Sequence, residues 1–160
     1  MEEFNKILLL TSVCCMACDG EIAKEEIDTL KKLSQEQKLF GDSKDANQFL
    51  SSIMDSLSKY GYVFVKSYLE LLEKTDFSEK EAIQILDVAT KTIYADERIE
   101  YDEIKFFKTI RHKLNVSDDQ IQGQVNGVED FWLSADAQDA NTSTLEMNFN
   151  TVDVASLQLE

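Results

Sequence analysis

The sequence contains no proline and only five glycines among its 160 residues. Folds with many strands need turn-forming residues of these types, so their scarcity favours helices. Basic residues are also few, because 16 Lys and Arg stand against 31 Asp and Glu, for a formal net charge of −15. Contacts with nucleic-acid phosphates or with anionic membranes need clustered Lys and Arg, so the composition argues against both as partners. Metal ions and basic proteins are the partners that this charge favours.

Long apolar runs and paired cysteines are missing as well. The apolar run Ile7–Leu10 has four residues, far fewer than a signal-peptide core or a membrane span needs. We therefore expect a cytoplasmic protein without membrane insertion. Cys14, Cys15 and Cys18 lie within five residues, a spacing that does not suit the disulfide framework of a secreted domain. We expect them to pack in the core, with soft-metal binding or oxidation as the alternative.

Apolar residues recur at helical spacing along most of the chain, of which 43% is hydrophobic. The pattern predicts an all-α fold, a compact bundle of about seven short helices in two pseudo-repeats. Capping boxes at Ser78–Glu81 and Ser117–Gln120 predict the starts of the fifth and seventh helices. Asp42 or Ser43 is the predicted cap of the third helix, and Gly61 separates the third helix from the fourth.

The charge and the composition change near Leu133. From Asn115 to the end, the chain carries nine acids and no Lys or Arg. The stretch from Ala135 to Thr144 is rich in small and polar residues, as linkers are. We predict a helical domain over residues 1–133 and an acidic polar tail over residues 134–160.

Apolar residues in the tail indicate that it docks on something. Leu145, Met147 and Phe149 alternate as in a strand, although Leu145, Phe149 and Val152 also fit a helix. We predict that part of the tail packs in extended form, on its own domain or on another chain; a mobile acidic tail is the alternative. An all-helical domain offers no sheet edge, so tail-to-tail pairing in a homodimer is the simplest arrangement. Trp132 is the aromatic expected to anchor the tail or a partner.

The sequence repeats itself at a distance of 77 residues. Residues 16–27 align with residues 93–104, and the aligned positions carry the same kinds of side chain. The matching pairs are Asp19 and Asp96, Ile22 and Ile99, Glu25 and Asp102, Glu26 and Glu103, and Ile27 and Ile104. Each copy is predicted to form a helix, a tight acidic turn and a second helix.

The acids in each copy are spaced as a cation site requires. An Asp at the end of one helix and a Glu seven residues later, in the first turn of the next, can approach the same point. Carboxylates this close repel unless a proton or a cation lies between them, and their oxygens suit Ca²⁺ or Mg²⁺. The candidate metal ligands are Asp19, Glu26, Asp96 and Glu103, with Glu25 and Asp102 as adjacent candidates. The alternative is that both Asp residues cap their turns and both Glu residues are solvated.

An ordinary EF-hand is excluded. Aligning Asp19 with the fifth position of such a loop places Cys15 and Ala17 at the first and third positions. Neither side chain is a usual oxygen ligand. Any cation site must therefore take further ligands from elsewhere, and the other repeat is the nearest candidate.

The run Ala17–Ile22, with the acids that follow it, resembles the signature of the tellurite-resistance TerB-like family. In that family an Ala-Asp-Gly turn is followed by Glu seven residues after the Asp, twice in one all-helical domain. The copy that begins with Tyr94–Ile99 fits the second half, and the resemblance covers roughly Phe4–Ile121. The chain departs from the family pattern at Cys18, where Ala is common, and at Glu97, where Gly is common.

The resemblance implies an acidic site for a divalent metal ion in a protein of bacterial stress response or tellurite-type resistance, with binding or scaffolding more usual than catalysis. We therefore expect a metal-binding module that acts through protein partners and is not an enzyme. The alternative is an acidic adaptor or immunity-type protein that binds a basic protein without metal. An enzyme that uses paired carboxylates is a third hypothesis, but no feature of the sequence indicates an acid with a raised pKa in a cleft.

Overall fold

The structure, a computed structural model, describes residues 3–22, 24–37, 43–95, 99, 101–133, 143–151 and 153–154. Within these ranges the chain forms nine helices and two short strands, which confirms the predicted all-α fold class. The helices are α1 (Glu3–Ala17), α2 (Lys24–Gln37), α3 (Ser43–Tyr60), α4 (Tyr62–Lys74), α5 (Glu79–Ala95), α6 (Tyr101–Leu114), α7 (Asp118–Gln124), α8 (Asp130–Leu133) and α9 (Ser143–Asn150). The strands are β1 (Glu21–Ile22) and β2 (Asp153–Val154).

Local sequence signals set several helix boundaries as predicted. Ser78 lies just before α5 and Glu81 lies in its first turn. The Ser78 backbone N–H donates to Glu81 Oε1 at 3.0 Å, and the Glu81 N–H donates to Ser78 Oγ at 3.2 Å. Ser117 and Gln120 form the same capping box at the start of α7. Gly61, with φ of 56°, separates α3 from α4. Helix α3 begins at Ser43, whereas Asp42 lies outside the described residues.

Helix α1 lies at the centre of the bundle. It packs against α3, α5 and α6, and from Thr11 to Ala17 every one of its residues is buried. A helix that is apolar on all sides needs such a position, because no face of it suits water. The polar groups that it buries find partners: Thr11 Oγ1 lies 2.5 Å from Tyr68 Oη, and Ser12 Oγ lies 3.0 Å from Thr92 Oγ1. This placement brings the carboxyl end of α1 and the following Cys18 into the core, next to the half-buried first acidic turn.

The tail contains a docked helix where a strand was predicted. Leu145 and Phe149 are 3% and 0% exposed, whereas Met147 between them is 60% exposed. The strand interpretation of this segment is therefore wrong, and the helical alternative holds, because the buried residues are four positions apart and the middle one faces solvent. Helix α9 packs against α3, α4 and α6.

An extended segment follows α9 and pairs with the body of the protein. Strand β2 runs parallel to β1, with Glu21 opposite Asp153 and Ile22 opposite Val154. The expectation that the helical domain offers no sheet edge is wrong, because the residues that follow the first acidic turn form one. Tail-to-tail pairing is thus not needed to satisfy this strand.

Trp132 anchors α8 to the bundle. Its side chain is 1% exposed, stacks on Tyr94 with ring centroids 5.6 Å apart, and meets the Phe107 ring edge-on at 5.3 Å. Tyr94 also donates its hydroxyl to the Gly127 carbonyl oxygen at 2.5 Å. The chain is therefore held in place up to Leu133, the predicted domain edge, while residues 134–142 lie outside the described part.

Candidate metal centre

The first acidic turn links α1 to β1. It begins with a hydrogen bond from the Gly20 N–H to the Ala17 carbonyl oxygen at 3.0 Å, and Gly20 has φ of +94°. Asp19 Oδ1 accepts a hydrogen bond from the Glu21 N–H at 3.0 Å. Asp19 therefore caps its own turn, as the alternative interpretation expected. A carboxylate has a second oxygen and further lone pairs, so the capping role does not exclude a cation.

The second repeat contributes two acids from the first turn of α6. Glu103 is 3% exposed and Asp102 is half-buried. Asp96, the second Asp of the repeat, lies outside the described residues together with Glu97. The α6 acids are therefore the part of the second copy that can be compared with the first turn.

The charges of three of the candidate acids affect the Cys18 thiol, directly after α1. Burial is the main cause that raises the pKa of this thiol, and the neighbouring Cys15 adds to it. The charges of Glu103, Asp19 and Asp102 raise the pKa of Cys18 further, in that order. The position of Asp102 is given directly, because one Asn148 Nδ2 lies 3.0 Å from both Asp102 Oδ2 and the Cys18 carbonyl oxygen.

The remaining candidates lie in the first turn of α2. Glu26 is buried, at 9% exposure, while Glu25 beside it is exposed. Of the two, Glu26 is therefore the one that lies against the bundle. Glu25 lies on the exposed side of α2.

The cysteines pack in the core, as expected. All three are buried, and burial raises the pKa of each thiol above its ordinary value of 9.0. Cys18 Sγ donates to the Cys15 carbonyl oxygen at 3.0 Å. Protonated, buried thiols are poor nucleophiles and poor metal ligands. The oxygen atoms of the neighbouring carboxylates are the chemically suitable ligands here, and they favour hard cations such as Ca²⁺ or Mg²⁺.

One contributor to this region was missed in the sequence. The Asn148 side chain of α9 donates from Nδ2 to the Cys18 carbonyl oxygen and to Asp102 Oδ2, each at 3.0 Å. Its side chain also lies against the first turn, because a Cβ added at Gly20 would be 3.5 Å from Asn148 Oδ1. Asn148 shares a helix face with the buried residues at 145 and 149, and that spacing was the only signal for it in the sequence.

A complete ligand set is not present within the described ranges. Among these residues no group of three His, Cys, Asp or Glu side chains is arranged to hold a metal ion. Asp96, a predicted ligand, is outside the ranges in which this holds. By their chemistry, carboxylate and carbonyl oxygens suit a hard cation, and Asp102 Oδ2 and the Cys18 carbonyl oxygen lie on the same Asn148 amide group.

A separate pocket of about 360 Å³ lies between the loop that joins α4 to α5 and the start of α7. Its walls include Glu73, Asp76, Glu79 and Lys113. Lys113 Nζ lies 3.4 Å from Glu73 Oε2, so this pocket already contains an ion pair. None of the candidate ligands that the structure describes lines it, and we do not assign the metal centre to it.

No described helix is long and apolar enough to cross a lipid bilayer. Comparison with family models, with curated proteins and with solved structures found no match for the chain.

Proposed function

We propose that the protein is a TerB-like module that binds a divalent cation where its two repeats meet and that acts through protein partners, not by catalysis. Two observations support this proposal: the charges of Glu103, Asp19 and Asp102 all raise the pKa of the buried Cys18 thiol, and the Asn148 amide joins Asp102 Oδ2 to the Cys18 carbonyl oxygen. The acids come from two segments about eighty residues apart, and the internal repeat is the reason to expect them at one site. The proposed ligands are these three with Glu26 and Asp96, and the proposed cation is Ca²⁺ or Mg²⁺.

A cation would act here by neutralising charge. Bringing carboxylates together at the end of a buried helix is unfavourable unless positive charge or hydrogen bonds compensate. A bound divalent ion would stabilise the folded chain by mass action, by about 2.7 kcal/mol at a hundredfold excess over the dissociation constant. It would also fix β1 and α6 relative to α1, and thereby present a defined acidic surface to a partner.

Thermal unfolding tests the proposal. Millimolar CaCl2 or MgCl2 should raise the melting temperature by several degrees, whereas NaCl at matched ionic strength should not. The double variant Asp19→Asn with Asp96→Asn should lose this shift. Asn keeps an oxygen for the Glu21 N–H, so the turn survives while the ligand charge is removed. Asp28→Asn, at an exposed position of α2, should retain the shift.

Two outcomes would overturn the proposal. An equal shift in NaCl would show general screening of the −15 charge and no specific site. A shift retained by the double variant would place the cation elsewhere.

A second candidate, an acidic adaptor or immunity-type protein that binds a basic partner without metal, has its own supporting observation. Asp19 and Asp102 already accept hydrogen bonds from protein donors, the Glu21 N–H and the Asn148 amide. Such contacts stabilise carboxylates without a cation. The metal-independent adaptor is favoured if no divalent ion shifts the melting temperature and if the affinity of the protein for a basic partner falls steeply as the salt concentration rises.

A further inference from the structure

We infer that helix α9 regulates the proposed cation site, because the Asn148 amide takes the place of a cation between Asp102 and the Cys18 carbonyl oxygen. Cation binding and docking of α9 would then oppose each other. The inference rests on the proposed function, and it adds a regulatory element from the tail, outside the repeat.

The orientation of the Asn148 amide follows from its partners. A backbone carbonyl oxygen and a carboxylate oxygen only accept hydrogen bonds, so the group that faces both must be the NH₂ and not the amide oxygen. Nδ2 lies 3.0 Å from each oxygen. One NH₂ group thus gives one hydrogen to each of the two repeats, since Cys18 directly follows α1 and Asp102 lies in the first turn of α6.

This NH₂ group and a cation would compete for the same lone pairs. Ca²⁺ binds oxygen ligands at about 2.3–2.6 Å, so an ion that bridges Asp102 Oδ2 and the Cys18 oxygen would fill the space between them. The amide hydrogens carry partial positive charge and would be repelled. A cation that uses both oxygens must therefore displace Asn148.

The rest of the tail couples this local exchange to a larger movement. Next to Asn148, Phe149 is fully buried, with its ring 5.4 Å from that of Phe106. Asn150 Oδ1 accepts from the Tyr62 N–H at 3.0 Å. Strand β2 then pairs with β1, directly after the Asp19 turn. Displacing Asn148 strains each of these contacts, so a bound cation would loosen the docking of α9 and the pairing of β2. Conversely, a docked α9 would lower the affinity of the site for the cation.

Calorimetric titration of the full chain with CaCl2 and MgCl2 tests this opposition. Asn148→Ala removes the competing NH₂ group and should bind the cation at least about tenfold more tightly than the unsubstituted protein, which corresponds to about 1.4 kcal/mol. Met147→Ala changes the exposed neighbour on the same helix and should leave the affinity unchanged. Circular dichroism should show both variants folded.

Hydrogen exchange gives a readout that needs no variant. In the unsubstituted protein, saturating CaCl2 or MgCl2 should speed amide exchange in residues 143–151, whereas exchange in α1 should slow or stay the same. Unchanged or slower exchange in residues 143–151 at saturation would overturn the inference. The inference would also be overturned if the Asn148→Ala variant bound the cation with an affinity equal to or weaker than that of the unsubstituted protein. In both cases the proposed function would stand. Absence of binding heat in every protein would overturn both.

Discussion

Asn148 and Asp102 are joined by a hydrogen bond of 3.0 Å between two segments that the sequence assigns to different units, the tail and the second repeat. The same amide group reaches the Cys18 carbonyl oxygen of the first repeat. The tail is therefore part of the region where the repeats meet, and not an appendage to it. Stability, tail docking and cation binding should all respond to changes at this junction.

Replacing Asp102 should loosen the tail even without cation. Asp102→Asn removes the charge that strengthens the hydrogen bond from Asn148, and such bonds contribute about 1.5–3 kcal/mol in proteins. We expect faster amide exchange in residues 143–151 and a loss of about 1 kcal/mol in the free energy of unfolding, because the site is half-buried. Asp28→Asn, at an exposed site, is the control. Tail exchange as slow as in the unsubstituted protein would show that this contact does not hold α9.

Phe149 should be the main anchor of α9. Its side chain is 0% exposed and contacts Phe106 and Tyr62, so Phe149→Ala should lower the free energy of unfolding by about 3–5 kcal/mol. Met147→Ala, on the exposed side of the same helix, should change it by less than about 0.5 kcal/mol. Urea unfolding curves measure both. Similar effects for the two variants would mean that the helix does not bury Phe149 as described.

Gly61 should tolerate no side chain. Its φ of +56° is costly for other residues, and an added Cβ would be 2.5 Å from Asn150 Oδ1 and 2.9 Å from Asn150 Cα. Gly61→Ala should lower the free energy of unfolding by at least about 1–2 kcal/mol and speed exchange in α9. Gly123→Ala is the matched control, because nothing lies within 4 Å of its added Cβ and it sits in α7. The control should be neutral or stabilising by up to about 1 kcal/mol. Equal stability of the two variants would contradict the docked position of Asn150.

Stability should fall at alkaline pH because of the buried thiols. Burial raises the pKa of Cys14, Cys15 and Cys18 above 9.0, whereas thiols of the unfolded chain ionise near that value. The unfolded chain therefore loses protons first. The contribution that the protonated thiols make to the free energy of unfolding is complete below pH 9 and is lost as the pH rises through the folded pKa values. The free energy of unfolding falls by up to about 1.4 kcal/mol per thiol and pH unit. Urea unfolding between pH 7 and 10.5 measures this. Cys14→Ala should give a shallower decline, and identical slopes for the two proteins would contradict the burial of that thiol.

The sequence predicted the helices well where local chemistry decides the structure. Ser78 and Ser117 begin capping boxes, and Gly61 adopts a backbone conformation that helices avoid, so these boundaries depend on a few neighbouring residues. The tail was harder. Leu145, Met147 and Phe149 alternate like a strand, and only packing shows that Met147 faces solvent while the other two are buried.

In the candidate site, too, some features could be anticipated from the sequence and others could not. The repeat led to the hypothesis that Asp19 and the acids of α6 share one region, and the structure places the Cys18 carbonyl oxygen and Asp102 Oδ2 on one Asn148 amide group. Asn148 was not predictable, since its partners lie 46 and 130 residues away along the chain and an isolated Asn carries no motif. The capping bond of Asp19 to the Glu21 N–H fits both a turn cap and a ligand, so residue type alone does not separate these roles.

The central claim, that the acids of both repeats share one cation site, is tested most directly by Mn²⁺ as a paramagnetic replacement for Ca²⁺ or Mg²⁺ in an NMR titration of the ¹⁵N-labelled protein. Mn²⁺ prefers the same oxygen ligands. At substoichiometric Mn²⁺ the amide signals of Gly20, Asp102 and Glu103 should broaden first, and excess Mg²⁺ should restore them. Broadening centred on Glu73, Asp76 and Glu79 of the pocket, or spread evenly over the exposed acids, would contradict the claim.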